Sequence, residues 1–163
     1  MKTIIRIRKG IALLATLIGL LFASPARAGD DKISAYAARA RDIANRMQAA
    51  LDPDQCQSVT SCKVTVGVAI LDNGKVLVAT SEKDRGLRSP LRAIADAEDA
   101  EVVRGSGDAE EKIINYVRGS LFYYRDRKIL VVAAGRPICE KCERMILDAG
   151  ARPASPCKSG RRY

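Results

Sequence analysis

An α/β fold, a mixed β-sheet with an N-terminal hairpin and flanking helices, is what this sequence predicts, on three observations. Lys63–Leu71 (KVTVGVAIL) alternates Val64, Val66, Val68 and Ile70 against the other face, and Asp72-Asn73-Gly74 follows as a hairpin signal. Lys128–Ala134 (KILVVAA) is apolar on both faces, which suits a central parallel strand. Three stretches with apolar residues at helical spacing lie before, between and after these strands.

The order of elements follows from local chemistry. Ile33–Leu51 is an alanine-rich helix with Ile33, Ala37, Ala40, Ala44, Met47 and Leu51 on one face, stopped by Asp52-Pro53-Asp54. Lys75–Thr80 (KVLVAT) returns antiparallel to the first strand. Pro90–Val103 reads as one short helix, broken by Gly105-Ser106-Gly107. Asp108–Leu121 is amphipathic, burying Ala109, Ile113, Val117 and Leu121, with Asp108 suited to its first position. After the third strand, Cys139–Ala149 forms another helix, closed by Gly150. Ala151–Tyr163 leaves room for one short strand.

The first 28 residues stand apart. A basic Met1–Gly10, an apolar Ile11–Ala23 and the A-x-A site Ala26-Arg27-Ala28 have the grammar of a secretory signal peptide. The apolar run is shorter than the ~20 residues of a spanning helix, so no stable membrane anchor is expected once it is cleaved. The expected organisation is therefore a signal peptide over 1–28, a helix and linker over 29–62, and one domain over 63–163. Losing five basic residues and no acid takes the net charge from +9 to +4, too mild to demand a nucleic-acid partner on composition alone. The basic end Lys158–Arg162 reads as a solvated tail or a phosphate contact.

Export brings an oxidising compartment, and the five cysteines divide accordingly. Cys56 and Cys62, with five residues between them in the linker, are expected to form a local disulfide. Cys157 is left over. Cys139 and Cys142 form a C-x-x-C pair at a helix start, suited either to thiol redox chemistry or to part of a metal site. The chain contains no histidine to complete such a site. A thioredoxin-like protein places its pair after an early strand, and this one comes late.

Asp108-Ala109-Glu110 on one helix start and Pro137-Ile138-Cys139-Glu140-Lys141-Cys142 on the next resemble the H-x-E and P-C-x-x-C signature of the cytidine deaminase-like superfamily. "DAEEK", "GRPICEKC" and "DAGA" are most similar to the small nucleobase deaminase domains of bacterial secreted toxins, over residues 63–157. The departure is Asp108, which stands where that family usually has histidine or cysteine. The resemblance implies a three-layer cytidine deaminase-like fold. It also implies Zn²⁺ held by Asp108, Cys139 and Cys142, with a fourth position left to water.

Two thiolates and a carboxylate leave a zinc site with one net negative charge, which makes its water less acidic than a histidine ligand would. Arg136 or Arg104 is a candidate to compensate that charge. The implied reaction is hydrolytic deamination at C4 of cytosine, or less favourably C6 of adenine, with Glu110 as the proton shuttle. Ser81 and Glu82, after the second strand, are candidates to hold the base or simply to end the strand. Arg125 and Arg127 beside Tyr123 and Tyr124 suit either a phosphate grip with base stacking or a solvated loop.

The expected partners are a nucleic acid, nucleoside or nucleotide substrate and, for a toxin or effector, a neutralising immunity protein. Two other readings stay open, a catalytically silent exported binding protein of the same fold and a C-x-x-C redox protein.

Overall fold

The computed structural model describes residues 25–51, 64–83, 86–120 and 123–163. The expected signal segment up to residue 24, and Cys56 and Cys62 with their expected disulfide, lie outside the described residues. The described residues from Ile33 to Tyr163 form one compact unit. No helix among the described residues is long and apolar enough to cross a membrane.

The chain runs α1 (Pro25–Ala49), β1 (Val66–Leu71), β2 (Val76–Thr80), α2 (Ser89–Ala97), β3 (Glu101–Val102), α3 (Ala109–Gly119), β4 (Ile129–Ala134), α4 (Glu140–Asp148) and β5 (Arg152–Pro153). It is an α/β fold whose five strands form one mixed sheet in the order β3-β2-β1-β4-β5. β1 pairs antiparallel with β2 and β4, whereas β2 with β3 and β4 with β5 are parallel. The central strand is thus β1, with its direction opposed to the rest. As expected, β4 is an interior strand with a parallel neighbour, β5; the correction is that its other neighbour is the central β1, with which it pairs antiparallel. An apolar pattern on both faces reports burial, and strand direction leaves no mark in it.

Alternation along β1 sorts its side chains into two cores. Val66, Val68 and Ile70 join Ala40, Ile43, Ala44 and Met47 of α1 and Leu91 of α2. Ala69 and Leu71 face the other way, with Ile113, Ile114 and Val117 of α3 and Cys142 and Ile146 of α4. Helices therefore cover both sheet faces, α1 and α2 on one and α3 and α4 on the other.

Local details follow the residues. Gly74 turns the hairpin at φ +85° and its N–H donates to the Leu71 carbonyl, giving a three-residue loop that needs a left-handed residue. α1 starts at Pro25, earlier than the Ile33 expected; proline suits a first helical turn. The single helix expected over Pro90–Val103 is instead α2 followed by β3, because two edge residues carry no readable periodicity. α4 ends as expected at Gly150 (φ +71°), with Gly150 N–H to Leu147 O and Ala151 N–H to Ile146 O in a Schellman arrangement.

Candidate metal centre

Residues from distant parts of the chain meet where β2 and β4 end and β1 begins. β1 is antiparallel to its neighbours, so Val66 lies opposite Thr80 and Gly67 opposite Ala134. Over this edge, α3 and α4 bring in their N-termini, with Asp108 and Cys139 as the residues just before each first turn.

Gly67 allows α3 to come this close. A β-carbon there would stand 3.0 Å from the Ala109 Cβ and 3.2 Å from the Glu110 backbone nitrogen. Gly105 and Gly107, at φ +146° and +105°, turn the chain into Asp108. Lys112, one turn into α3, is buried, and its Nζ donates to the carbonyls of Thr80 (2.8 Å) and Glu82 (2.6 Å). It fastens the helix to the end of β2. Lys112→Met is expected to destabilise the fold by about 3 kcal/mol in urea unfolding, because two inward-facing carbonyls lose their donor.

The cysteine loop is held from the other side. Ile138 N–H donates to Pro156 O and Lys158 N–H to Ile138 O, so the C-terminal segment pairs with the loop. Ser155 Oγ accepts from Ala134 N–H and donates to Ala134 O. The C-terminal end is anchored by Tyr163, which donates to the buried Glu143, while Lys158, Arg161 and Arg162 stay exposed, in keeping with a solvated basic end. Cys157, unassigned from sequence, is a buried free thiol in this segment.

Asp108, Cys139 and Cys142 each offer one ligand atom, and these atoms lie within 4.8 Å of one another. Asp108 is exposed, Cys139 half-buried and Cys142 buried. The Cys142 Sγ to Asp108 Oδ2 distance is 3.5 Å. Zinc ligands at about 2.3 Å for sulfur and about 2.0 Å for oxygen would stand roughly 3.5 Å apart at a tetrahedral angle, so the donor set fits a metal ion. Asp108 occupies the helix-capping position, yet its carboxylate makes no cap hydrogen bond and accepts from the Cys142 thiol instead. The Cys139 sulfur accepts from Cys142 N–H at 3.2 Å.

Glu110 is 4% exposed and lines the same cleft. Burial raises its carboxyl above the ordinary range; its own backbone N–H partly offsets this, and the Asp108 charge adds to it. The Cys142 thiol is pushed far upward by burial, then by the charges of Glu110, Cys139 and Asp108. Such crowding of acids around a buried sulfur is what a divalent cation relieves.

The cleft measures about 270 Å³ and is lined by Thr65, Arg136, Pro137 and Lys158 as well as Asp108, Glu110 and the two cysteines. Sequence reasoning anticipated Arg136 at this site and missed Thr65 and Lys158, which reach it only through sheet register and tail docking. Arg104 is not among the lining residues, and its guanidinium lies beside Gly86. Ser81 and Glu82 are not among the lining residues. Ser81 Oγ accepts from Thr65 N–H at 2.9 Å, and Glu82 pairs with Arg88 at 2.6 Å.

The chain is thus a mixed α/β protein with an Asp-Cys-Cys cluster that could hold a metal ion beside a buried glutamate. No protein-family profile, no curated protein and no solved structure matches it.

Proposed function

We propose that this protein is a zinc-dependent nucleobase deaminase of the cytidine deaminase-like type, exported and acting as a toxin or effector. The observation that carries the reading is one cleft combining a three-donor metal cluster with a buried carboxyl two residues beyond one of the donors. Zinc would be held by Asp108, Cys139 and Cys142, and when bound it supplies Lewis acidity that makes water nucleophilic near neutral pH. Glu110 would take a proton from the attacking water and pass it to the ring nitrogen; the second proton, from the new C4 hydroxyl, would pass through the same carboxylate to the amino group, which leaves as ammonia. Thr65 and Pro137 form part of the cleft wall. Arg136 and Lys158 bring positive charge to an otherwise acidic site.

The cleft volume falls just below the ~300 Å³ at which drug-sized pockets begin, which suits a single base. Cytosine is favoured over adenine by the motif resemblance. The redox alternative is weakened by the acids that face the pair, since thiol exchange needs a readily formed thiolate. A signal peptide favours a role outside the producing cell over nucleotide salvage, and a neutralising partner protein would protect the producer.

Purified protein is expected to contain one zinc ion per chain and to release ammonia from cytosine in nucleosides, single-stranded DNA or RNA. Zinc without deamination of any of these would establish the silent binding protein instead. Metal-free protein with Cys139 and Cys142 oxidised would establish the redox reading.

A further inference from the structure

A second cavity, about 280 Å³, lies on the α3–α4 side of the sheet at the opposite end from the metal cluster. Val117 and Arg118 of α3, Tyr124, Arg125, Arg127 and Lys128 form most of its wall. Four of these are cations, and no acidic residue is among the described residues that line the cavity. Among the described residues none of the four side chains has an ion-pair or hydrogen-bond partner. The C-terminal dipole of α3 is equivalent to roughly half a negative charge, too little to balance them.

The wall is built on a fixed frame. Tyr124 is buried, its hydroxyl donates to Glu101 on β3, and its ring packs 5.6 Å from Tyr116 of α3. The arginines that follow Tyr124 therefore hang from an anchored residue. Tyr123, one position earlier, is 86% exposed and presents a free ring beside them.

We propose that this cavity binds the phosphate backbone of single-stranded nucleic acid, with Tyr123 stacking on an unpaired base. Unpaired guanidiniums around a concave wall suit phosphate oxygens, and an exposed ring next to them suits the bases of a single strand. Among the described residues, the other exposed large apolar side chains, Tyr116, Leu147 and Tyr163, form no helix face that a membrane would need. Five residue steps of β4 set this cavity roughly 17 Å from the metal cleft. A strand reaches both, whereas a mononucleotide does not. The proposal goes beyond the deaminase reading and stands without it, because it concerns binding alone.

The test is fluorescence anisotropy of a labelled oligothymidylate of about 16 nucleotides, near the upper site size of one small binding fold, titrated with the full chain over a range of salt. Arg118→Ala, Arg125→Ala and Arg127→Ala together are expected to weaken binding at least tenfold. They should also reduce the slope of log affinity against log salt by about 2, at ~0.7 per phosphate contact on a single strand. All three residues are exposed, so the thermal transition should not move. Removing Arg41, Arg92 and Arg152, exposed on other surfaces, is expected to change affinity less than twofold.

Equal weakening by the two triple variants would overturn the proposal in favour of diffuse charge attraction. Displacement of the oligonucleotide by inorganic phosphate at equal phosphate concentration would overturn it in favour of a free-phosphate site. Turnover is not needed for any of these readings, so failure of deamination leaves them interpretable.

Discussion

Glu110→Gln is expected to keep its zinc and to lose about 10²–10⁴-fold of its ammonia-releasing turnover, the usual contribution of a positioned general acid–base group. The substitution preserves shape and hydrogen-bonding reach and removes only the ability to carry a proton. Glu110 is not among the grouped metal donors, so metal content and fold should be unchanged. The side chain is 4% exposed, and a neutral amide meets a smaller burial penalty than a carboxylate there. Stability should therefore hold or rise slightly. Zinc analysis by mass spectrometry and ammonia release from the same preparation separate the two quantities. A variant that loses metal and turnover together would show Glu110 to be a ligand or a structural group.

Gly67→Val should weaken zinc binding at least tenfold and destabilise the fold by about 2–3 kcal/mol, as overpacking typically does. The reason lies in the approach of α3 to the central strand. Even a β-carbon at this position meets Ala109 Cβ at 3.0 Å, Ala109 C at 3.1 Å and Glu110 N at 3.2 Å. Two of those atoms belong to the backbone and cannot rotate away, so α3 must retreat from β1. Asp108, immediately before that turn, retreats with it, while Cys139 and Cys142 stay on α4. The prediction discriminates because valine is ordinarily favoured in a strand and glycine disfavoured. If Gly67→Val stabilised the protein or left zinc affinity unchanged, the close approach would not be what positions Asp108. Urea unfolding and zinc titration with a competing chelator measure the two effects.

Much of the architecture was legible because its signals are local. The β1–β2 hairpin is announced by alternation and an Asn-Gly turn, and α1, α3 and α4 by helical spacing with recognisable ends. The candidate ligands came from the resemblance of Asp108-Ala109-Glu110 and Pro137–Cys142 to the deaminase signature, and their ligand atoms lie within 4.8 Å of one another. What stayed hidden is long-range. The two-residue strand β3 has no period of its own and exists because β2 offers it a parallel edge. Ser81 and Glu82 follow a strand whose register and neighbours give them Thr65 N–H and Arg88 as partners, which no local pattern announces. Lys158 reads as part of a basic tail until the pairing of that tail with Ile138 carries it to the cleft wall.

By itself, the sequence of this protein determined which segments become helices and strands, which face of each is apolar, and which side chains have the chemistry to bind a metal. Those properties depend on residues within a few positions of one another. Only the tertiary structure decided that β1 takes the centre of the sheet with its direction reversed. It alone decided that Asp108 lies 3.5 Å from Cys142 and that four cations line a cavity at the far end. Each of these is a distance between groups remote along the chain, set by close packing of whole elements, and no local pattern of residues encodes it.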